Sequence, residues 1–598
     1  MNPLNPCCDL SSSSAFPLSP RTMILSANQV SGKSFDYIIV GGGTCGLVLA
    51  TRLSEDPSVS VLVIEAGAAN LDDPEILDPT QFSTRFGNPK YDWAFETVPQ
   101  KSCNDLSVPF NRGKGLGGSS GINFFQYHRP AKSDIDAFEE LGNEGWNWAL
   151  LEDYYVKSER FVEPVKKDPA VLSYTLANHG ATGPLTVGLP NVVSRFEGPY
   201  RTAIESLGIE FAEKPTNGFW FTPISVDPVE RVRSYAANKY YQPNATRENL
   251  SVVVSAHVTK IVTALDANGQ ATAVEVAFLS EDTSYTVKVG KEVVLSAGYI
   301  LELSGIGNKS ILEAAGIETK IHLPGVGENV QEHFYSSVLQ GIRPEVMLNL
   351  YEALGKDVFG MAATCIAFVP LASVSPMHAS LQESLAKAIE KDISTGKISE
   401  SLRKQYTIQL KHLQDREPSC EFLMWPLFRT DPSAPVPGVQ FLSVSAMANH
   451  PFSRGSIHIT SNDPLLAPRI DPNYFEYEYD LLSIVEQLKF CRKILDQEPL
   501  KQFLTGNEFR PGPNVQSDEE IADYVKANMR TTWHTIGSCS MLPRADGGVV
   551  DRNLKVYNTT NIRVVDMSIL PLHIGAHIQA TAYAVGELAA DIITGQVF

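Results

Sequence analysis

Two histidines lie four residues apart in the C-terminal stretch 571–577, PLHIGAH, of a chain that has only twelve histidines. On a helix this spacing would place both imidazoles on one face, as in a zinc site. A metal is not expected, because Gly575 lies between the histidines and the helical pattern begins only after His577. Neither a C-x-x-C pair nor a supporting carboxylate is nearby. We therefore predict no metal site, and we interpret His573 as a pocket-lining or surface residue.

A glycine-rich turn near the N-terminus predicts a dinucleotide site. The apolar run 35–40 is typical of a buried strand, and the motif Gly41-x-Gly43-x-x-Gly46 follows it directly. A helical pattern comes next, and a second apolar strand ends at Glu65, nineteen residues after Gly46. In such a βαβ unit the first glycine permits a tight turn and the second lets the backbone approach a pyrophosphate. The third lets helix and strand pack closely.

The residues around this motif suit a ribose and a phosphate. A carboxylate at Glu65 can accept hydrogen bonds from the two ribose hydroxyls and would repel a 2′-phosphate. Thr44 and Cys45, at the start of the predicted helix, belong to the same predicted cofactor site, where the helix N-terminus faces the phosphate charge. These residues do not by themselves separate FAD from NAD.

A second glycine-rich run favours FAD over NAD, because it resembles a known flavoprotein motif. Residues 111–130, NRGKGLGGSSGINFFQYHRP, resemble the signature run of the glucose–methanol–choline (GMC) flavoprotein oxidoreductases, which wraps the flavin. Glycines contribute no side-chain packing and lose much backbone entropy, so a cofactor lying against the backbone explains the run better than a core would. The resemblance implies FAD. Outside the first motif, the residues that we assign to its binding are Arg112, Gly117, Ser119, Asn123, Val258, Asp566 and Ile578.

The resemblance extends from Phe35 almost to the C-terminus. Further landmarks are LPGVGENVQEH at 323–333, HPFSRGSI at 450–457 and DPNYF at 471–475. They imply an α/β fold with a Rossmann-type FAD-binding domain and a discontinuous sheet-and-helix substrate-binding domain. The predicted boundaries are a disordered leader at 1–34, FAD-binding segments at 35–200, 248–335 and 530–598, and substrate-binding segments at 201–247 and 336–529.

The same resemblance identifies two catalytic histidines. His534 lies in WHTIGSC, which is similar to the family's H-x-x-G-[TS]-C run, and His577 is six residues after Pro571, where the family has a second His or Asn. We assign His534 as the base that takes the hydroxyl proton and His577 as the partner that orients the hydroxyl. An imidazole can do this near neutral pH. The helix that begins at Ile578 would direct its N-terminal dipole at the reduced flavin.

The activity implied is oxidation of a primary or secondary alcohol by hydride transfer to flavin N5, with oxygen or another acceptor restoring the flavin. Within the family the chain resembles members of the aryl-alcohol oxidase and dehydrogenase type, and a biosynthetic step on a small natural product is the expected role. The alternative is a lyase or cyclase that uses the two histidines as acid and base while the flavin does not turn over. A binding protein with a vestigial site is a third reading.

Two stretches depart from the family pattern. The signature at 296–307, SAGYILELSGIG, is about five residues shorter than usual and lacks a Ser-Pro pair, at a turn that in the family leads from a strand into a helix. The aromatic residues Phe124, Phe125 and Tyr127 replace the commoner small residues. They would either line the flavin's reactive edge, which favours a flat or aromatic substrate, or pack in the core.

Composition sets the remaining expectations. A chain of 598 residues with 43% hydrophobic and 20% charged residues predicts two or more globular domains. The net charge of −19 disfavours nucleic acids and anionic membranes. Eight scattered cysteines, no apolar run of membrane-spanning length and no secretory pattern at the N-terminus together predict a cytoplasmic protein with reduced thiols. The sequence leaves the oligomeric state open.

Secondary structure is less regular in the middle of the chain. Residues 250–265 and 285–297 are typical of strands, and they flank a turn signal at 266–269. The charged stretch 376–416 predicts a solvated helix or helical hairpin without chemistry. A strong amphipathic helix is expected after His577, ending at Gly595.

Overall fold

A computed structural model describes residues 24–164, 179–190, 194–212, 217–297, 299–346, 363–426 and 438–598. Two large sheets organise these residues. The first sheet has eight strands and is mainly parallel, whereas the second has seven strands and is antiparallel throughout. Helices pack against both sheets, so the fold is α/β, as the sequence predicts.

The first sheet contains the βαβ unit. Its strands, in spatial order, are Ile24–Leu25, Leu250–Val253, Val61–Ile64, Ser34–Val40, Thr283–Leu295, Ala271–Ser280 and His257–Leu265, and Ile562–Val564 pairs with Thr283–Leu295. The strands from Ile24–Leu25 to Thr283–Leu295 and the added C-terminal strand are parallel, whereas the last two pair antiparallel. Parallel strands have both faces covered, which explains why Ser34–Val40 ends in the buried apolar run 38–40 and why every residue of Val61–Ile64 is apolar and buried.

The second sheet is built almost wholly from the later half of the chain. In spatial order its strands are Leu504–Arg510, Phe334–Ile342, Phe441–Ala448, Cys420–Trp425, Cys365–Val369 and Gly218–Phe221, and Arg530–Thr531 pairs with Phe334–Ile342. Every residue of the strands Cys420–Trp425 and Phe441–Ala448 is buried. The strand from 218 to 221 shows that a segment from the first half of the chain joins this sheet. The exact division into two domains stays a prediction.

The helices and the shorter elements complete the architecture. The α-helices are Ala27–Val30, Thr44–Leu53, Pro74–Leu77, Lys132–Glu140, Trp148–Ser158, Glu197–Ser206, Ile300–Leu303, Lys309–Ala314, Leu371–Val374, His378–Ser394, Glu400–Gln414, Glu478–Leu495, Asp518–Asn528 and Gln579–Ile593. Small two-stranded sheets pair Phe95–Glu96 with Pro109–Phe110, Glu159–Val162 with Leu185–Gly188, Ile306–Gly307 with Ile321–His322, and Ser456–His458 with Arg469–Asp471. Within the described residues no helix has the length and apolar character needed to cross a membrane.

Three expectations from the sequence need correction. The disordered leader cannot extend to residue 34, because Ile24–Leu25 pairs with the first sheet and Ala27–Val30 is helical; residues 1–23 lie outside the described residues. The turn at 266–269 leads into Ala271–Ser280, a strand that the sequence reading missed between its two predicted strands. The predicted strand 250–265 is in fact two strands, because the chain leaves the sheet between Val253 and His257.

Other local predictions agree with the structure. The charged stretch forms a pair of helices, His378–Ser394 and Glu400–Gln414, as expected of a helical hairpin. The final helix spans Gln579–Ile593, and Gly595 follows it with a positive φ of 73°. The shortened signature forms a short helix, Ile300–Leu303, after the strand that ends at Leu295.

Candidate active site

A cavity of about 450 Å³ is bounded by residues of both sheets. Val40 and Ile64 end strands of the first sheet at this cavity, and Tyr335, Trp425 and Met447 come from the second. The predicted site residues that line it are Gly41, Gly43, Thr44, Cys45, Glu65, Arg112, Ser119, Asn123, Val258, His534, Asp566, His577 and Ile578. The cavity thus brings the predicted cofactor residues and both histidines together.

Gly46 and Gly117 do not line the cavity, and their role is close packing. A Cβ on Gly46 would lie 2.1 Å from the carbonyl oxygen of Gly41, so helix and turn could not approach each other as they do. Gly117 has a φ of 93°, and a Cβ there would lie 2.5 Å from the ring of Tyr235. Both glycines therefore allow the close packing of the residues that surround the cavity wall.

The first glycine turn presents an open helix N-terminus to the cavity. Gly43 is the N-cap residue of the helix Thr44–Leu53, and no side chain caps that end. A Cβ on Gly43 would meet no atom within 4 Å, so the missing side chain leaves free space at the cavity wall. Unpaired N–H groups at a helix N-terminus are suited to a phosphate. This turn therefore fits the pyrophosphate of a dinucleotide.

Glu65 ties the two glycine-rich runs together. Its Oε2 accepts a hydrogen bond from the backbone N–H of Gly42 at 2.8 Å, and its Oε1 accepts from Gly67 at 2.7 Å and Gly115 at 3.0 Å. Burial raises the pKa of Glu65 despite these three donors. The carboxylate lines the cavity and also holds both loops in place. Its contact with a ribose stays a prediction.

Arg112 connects the second glycine-rich run to the segment that contains His534. Its Nη1 donates to the carbonyl oxygen of Trp533 at 3.3 Å, and its Nη2 donates to the hydroxyl of Thr535. The carboxylate of Glu332 lies 3.7 Å from Nη2 and accepts the backbone N–H of His534 at 2.6 Å. Burial raises the pKa of Glu332 to about 7. Hydrogen bonds and an ion pair therefore connect the second glycine-rich loop to the segment that contains His534.

Three further cofactor residues are fixed by local contacts. The hydroxyl of Ser119 accepts the N–H of Gly113 at 3.1 Å, which closes the glycine-rich loop. The thiol of Cys45 donates to the carbonyl oxygen of Ala582 at 3.2 Å, and burial raises its pKa. Asp566 accepts the N–H of Ser568 at 2.9 Å. These contacts order the cavity wall, and the cofactor roles of Ser119, Cys45 and Asp566 stay predictions.

The two predicted catalytic histidines are neighbours in space. Their ring centroids lie 4.7 Å apart, although the residues are 43 positions apart in the chain. His577 Nε2 lies 2.7 Å from Oε1 of Glu421, and its backbone N–H donates to Nε2 of His128 at 3.1 Å. Burial lowers the pKa of His534 well below 6.5, and the neighbouring imidazoles lower it further. Asn123 and Gln579 also line the cavity.

His333 determines which nitrogen of His534 is protonated. His333 Nε2 lies 2.7 Å from the carbonyl oxygen of Asn449, which can only accept, so Nε2 has to donate. Burial lowers the pKa of His333 well below 6.5, so its ring is neutral and its Nδ1 accepts. The 3.0 Å contact between the two Nδ1 atoms is then a hydrogen bond donated by His534. Nε2 of His534 keeps its lone pair.

His573 is neither a pocket-lining nor a surface residue. Its side chain is buried, its ring stacks on His333 at 3.5 Å, and its Nε2 donates to the carbonyl oxygen of His534 at 2.9 Å. Burial lowers the pKa of His573 to about 3. The helix after this stretch begins at Gln579, so His573 and His577 share no helical face. His573 supports His534 from the side away from the cavity.

The aromatic residues divide between the cavity and the core. Phe124 lines the cavity and stacks on Phe86 at 5.0 Å, and Phe86 stacks on Trp533 at 4.9 Å. Phe125 and Tyr127 are buried and are absent from the cavity wall. Only one of the three aromatic residues that we singled out in the sequence therefore faces the site.

Sequence reasoning missed His128, His333, Glu421 and Gln579 as parts of this site. His128 and His333 lay in stretches that the family resemblance had marked, 111–130 and 323–333, but those motifs assign neither residue a role. Gln579 is two residues after His577, and Glu421 comes from a separate strand that only folding brings to the histidine pair.

A glycine turn suited to a phosphate, a second glycine-rich loop and a histidine pair meet in one cavity, as is expected of a flavin-dependent oxidoreductase. Family models for GMC oxidoreductases match residues 35–335 with their N-terminal part and 451–586 with their C-terminal part. The chain therefore belongs to the GMC oxidoreductase family. It is an FAD-dependent enzyme that acts on CH–OH groups.

Individual relatives agree with this assignment. The chain is 36% identical over 603 residues to the GMC oxidoreductase family protein Mala s 12 of Malassezia sympodialis, covering 96% of this chain and 95% of that protein. The structure superposes on an FAD-dependent oxidoreductase from Chaetomium thermophilum with a TM-score of 0.83 and 27% identity, covering 94% and 99% of the two chains. A fungal aryl-alcohol oxidase gives a TM-score of 0.79 and 28% identity over 94% and 99%.

Proposed function

We propose that this protein oxidises a small aromatic alcohol to the corresponding carbonyl compound, with His534 as the base. The observation that supports this most directly is the hydrogen-bond chain from Asn449 through His333 to His534, which leaves a lone pair on Nε2 of His534. FAD supplies the hydride acceptor when it is bound. The residues of this chain bind the alcohol, take its proton and exclude water.

His534 accepts the hydroxyl proton as the alcohol carbon loses its hydride. A neutral imidazole with a fixed tautomer is ready to do so without any rearrangement. His577, whose ring lies beside that of His534, orients the hydroxyl oxygen. Its position is held by Glu421 and by the contact of its N–H with His128. After the transfer, the proton resides on Nε2 of His534.

The aromatic wall supports a flat substrate. Phe124, Phe86 and Trp533 form nearly parallel contacts with interplanar angles of 22° and 17°. Offset stacking of a substrate ring on such a surface is favourable, whereas a sugar would find few polar partners there. The structural similarity to an aryl-alcohol oxidase points in the same direction.

The cofactor residues are proposed to act as the sequence suggests. Gly41 and Gly43 admit the pyrophosphate, Glu65 accepts from the ribose, and Arg112, Ser119 and Asn123 hold the flavin end of the cavity. The helix N-terminus that follows Ile578 would face the negative charge that bound FAD gains on reduction. Oxygen or another acceptor is the proposed partner of the reduced enzyme.

A cytosolic, biosynthetic role on a small natural product is part of the proposal. The six cysteines in the described ranges are all free and buried, which suits a reducing compartment. Fractionation of the producing cells tests the location: recovery of the enzyme with the soluble cytosolic fraction is expected. Recovery from the culture medium would contradict it.

An anaerobic absorbance experiment tests the activity. The flavin bands of the purified holoenzyme are recorded before and after addition of a panel of aromatic, aliphatic and sugar alcohols. Bleaching by aromatic alcohols, with colour restored by air or by a quinone, is expected. A His534→Ala variant should bind FAD, but an alcohol should bleach its flavin at least about 100-fold more slowly than in the wild type.

Two outcomes would contradict the proposal. Bleaching by simple sugars with no response to aromatic alcohols would exclude the aromatic substrate class. Conversion of a substrate while the flavin remains oxidised and unbleached would instead support the lyase or cyclase alternative.

A further inference from the structure

Arg233 is a fully buried cation beneath the second glycine-rich loop. Its exposed fraction is 0%, and its guanidinium lies 3.9 Å from the ring centroid of Phe125. It donates to the carbonyl oxygens of Ile76 at 3.1 Å, Ser120 at 3.1 Å and Asn123 at 2.9 Å, and to Oδ1 of Asn123 at 2.8 Å. Every one of these acceptors is neutral.

No carboxylate compensates this charge within the described ranges. Arg233 takes part in none of the ion pairs found there, and the side chain with the largest electrostatic effect on its pKa is a second buried arginine, Arg85. Burial and repulsion from Arg85 lower the pKa of Arg233 well below its usual value. A buried charge without a partner is expensive, so a group that supplies negative charge would relieve the strain.

Asn123 links this arginine to the cavity. The Oδ1 of Asn123 accepts from Arg233, and its Nδ2 donates to Oε1 of Gln579. Asn123 and Gln579 both line the cavity, and Gln579 is two residues after His577. A flavin that takes a hydride from an alcohol held by His534 and His577 would lie beside these histidines, and therefore near Gln579 and its partner Asn123.

We propose that Arg233 is a positioning residue that holds Asn123 against the flavin and whose buried charge stabilises the negative charge acquired by the flavin ring on reduction. Charged groups near the pyrimidine end of a flavin are a recognised means of tuning its electronics. The inference rests on the part of the proposed function that places the flavin beside His534 and His577, and not on the proposed aromatic alcohol.

Sulfite binding measures this charge without any substrate. The sulfur lone pair forms an S–N5 bond with the oxidised flavin, and the displaced electron pair leaves a negative charge on the ring. Sulfite is titrated into the holoenzyme and its Kd is read from the loss of flavin absorbance. Arg233→Gln, which keeps donors but removes the charge, should weaken sulfite binding at least about tenfold. Arg233→Lys should stay within about threefold of the wild type.

Arg454→Gln is the matched control. Arg454 is also buried, donates to the carbonyl oxygen of Pro451 at 2.9 Å and lies 5.1 Å over the ring of Tyr406, but it does not line the cavity or contact Asn123. Its sulfite affinity should match that of the wild type. Equal losses in the Gln and Lys variants of Arg233 would overturn the role of the charge, and so would unchanged affinity in both.

The wild-type holoenzyme provides a second measurement that does not depend on the folding of any variant. The reduction potential of its bound flavin should lie above that of free FAD in the same buffer, because a nearby cation favours the reduced, anionic form. A potential below that of free FAD would contradict the inference. Failure of every alcohol to bleach the flavin would instead count against the proposed function and leave both of these readouts intact.

Discussion

The Nδ1 atoms of His333 and His534 lie 3.0 Å apart, and His333 is the residue that has to accept in this contact. One imidazole thereby sets the tautomer of another, much as a carboxylate or a carbonyl group does for other catalytic or metal-binding histidines. His333 does not line the cavity, so its effect on the reaction passes through His534.

Replacing His333 should therefore slow flavin reduction without abolishing FAD binding. His333→Leu removes the acceptor for Nδ1–H of His534 and frees the ring to adopt the other tautomer. We expect a fall of about 10- to 100-fold in the rate of flavin bleaching under anaerobic conditions. His322→Leu is the control, because His322 is exposed and its Nδ1 accepts the backbone N–H of Lys309, a residue outside the candidate site. A His333→Leu enzyme as fast as the control would show that the tautomer does not matter.

The pH dependence of flavin reduction follows from the lowered pKa of His534. A base whose pKa lies well below 6.5 stays unprotonated at neutral pH and is lost only when the pH falls through that lower value. The rate of flavin reduction should be constant from about pH 8 down to about pH 6 and decline only in more acidic buffer. Stopped-flow absorbance across this range measures it. An inflection near pH 6.5 would mean that His534 titrates like an exposed histidine.

His573 should matter for positioning and not for metal binding. His573→Phe keeps a flat ring against His333 but removes the donor to the carbonyl oxygen of His534. A loss of about 1 kcal/mol in the free energy of unfolding and a moderate fall in kcat are expected. Dialysis against EDTA should leave the activity unchanged. Activity that is lost on dialysis and restored by zinc would establish the metal site that we do not expect.

Phe124 should determine the preference for aromatic alcohols. Phe124→Ala removes one surface of the stack with Phe86, so KM for benzyl alcohol should rise about 3- to 10-fold, whereas KM for a short aliphatic alcohol should hardly change. Phe124→Tyr keeps the ring and should behave like the wild type. Steady-state kinetics with both alcohols distinguish this from general damage, which would affect the two substrates equally.

Local sequence patterns determined the dinucleotide turn and its strands. The run 35–40, the glycine motif and Glu65 all fall within about thirty residues, so hydrophobic periodicity and turn chemistry are enough to place them. The strand Ala271–Ser280 escaped detection although it lies between two recognised segments. Its alternation of alanine, valine and polar residues is weak, and its pairing with two antiparallel neighbours defines it.

The sequence by itself determined the family and its FAD cofactor and predicted the two histidines, because the motifs that carry the family resemblance consist of residue types at short, fixed spacing. Tertiary structure alone decided what surrounds those histidines. Glu421, His333 and His128 approach the pair from segments up to hundreds of residues away, and hydrogen-bond direction and burial depend on such contacts. It also decided that His573 lies behind His534 and that Arg233 is a buried cation, since neither burial nor charge compensation has a local signature.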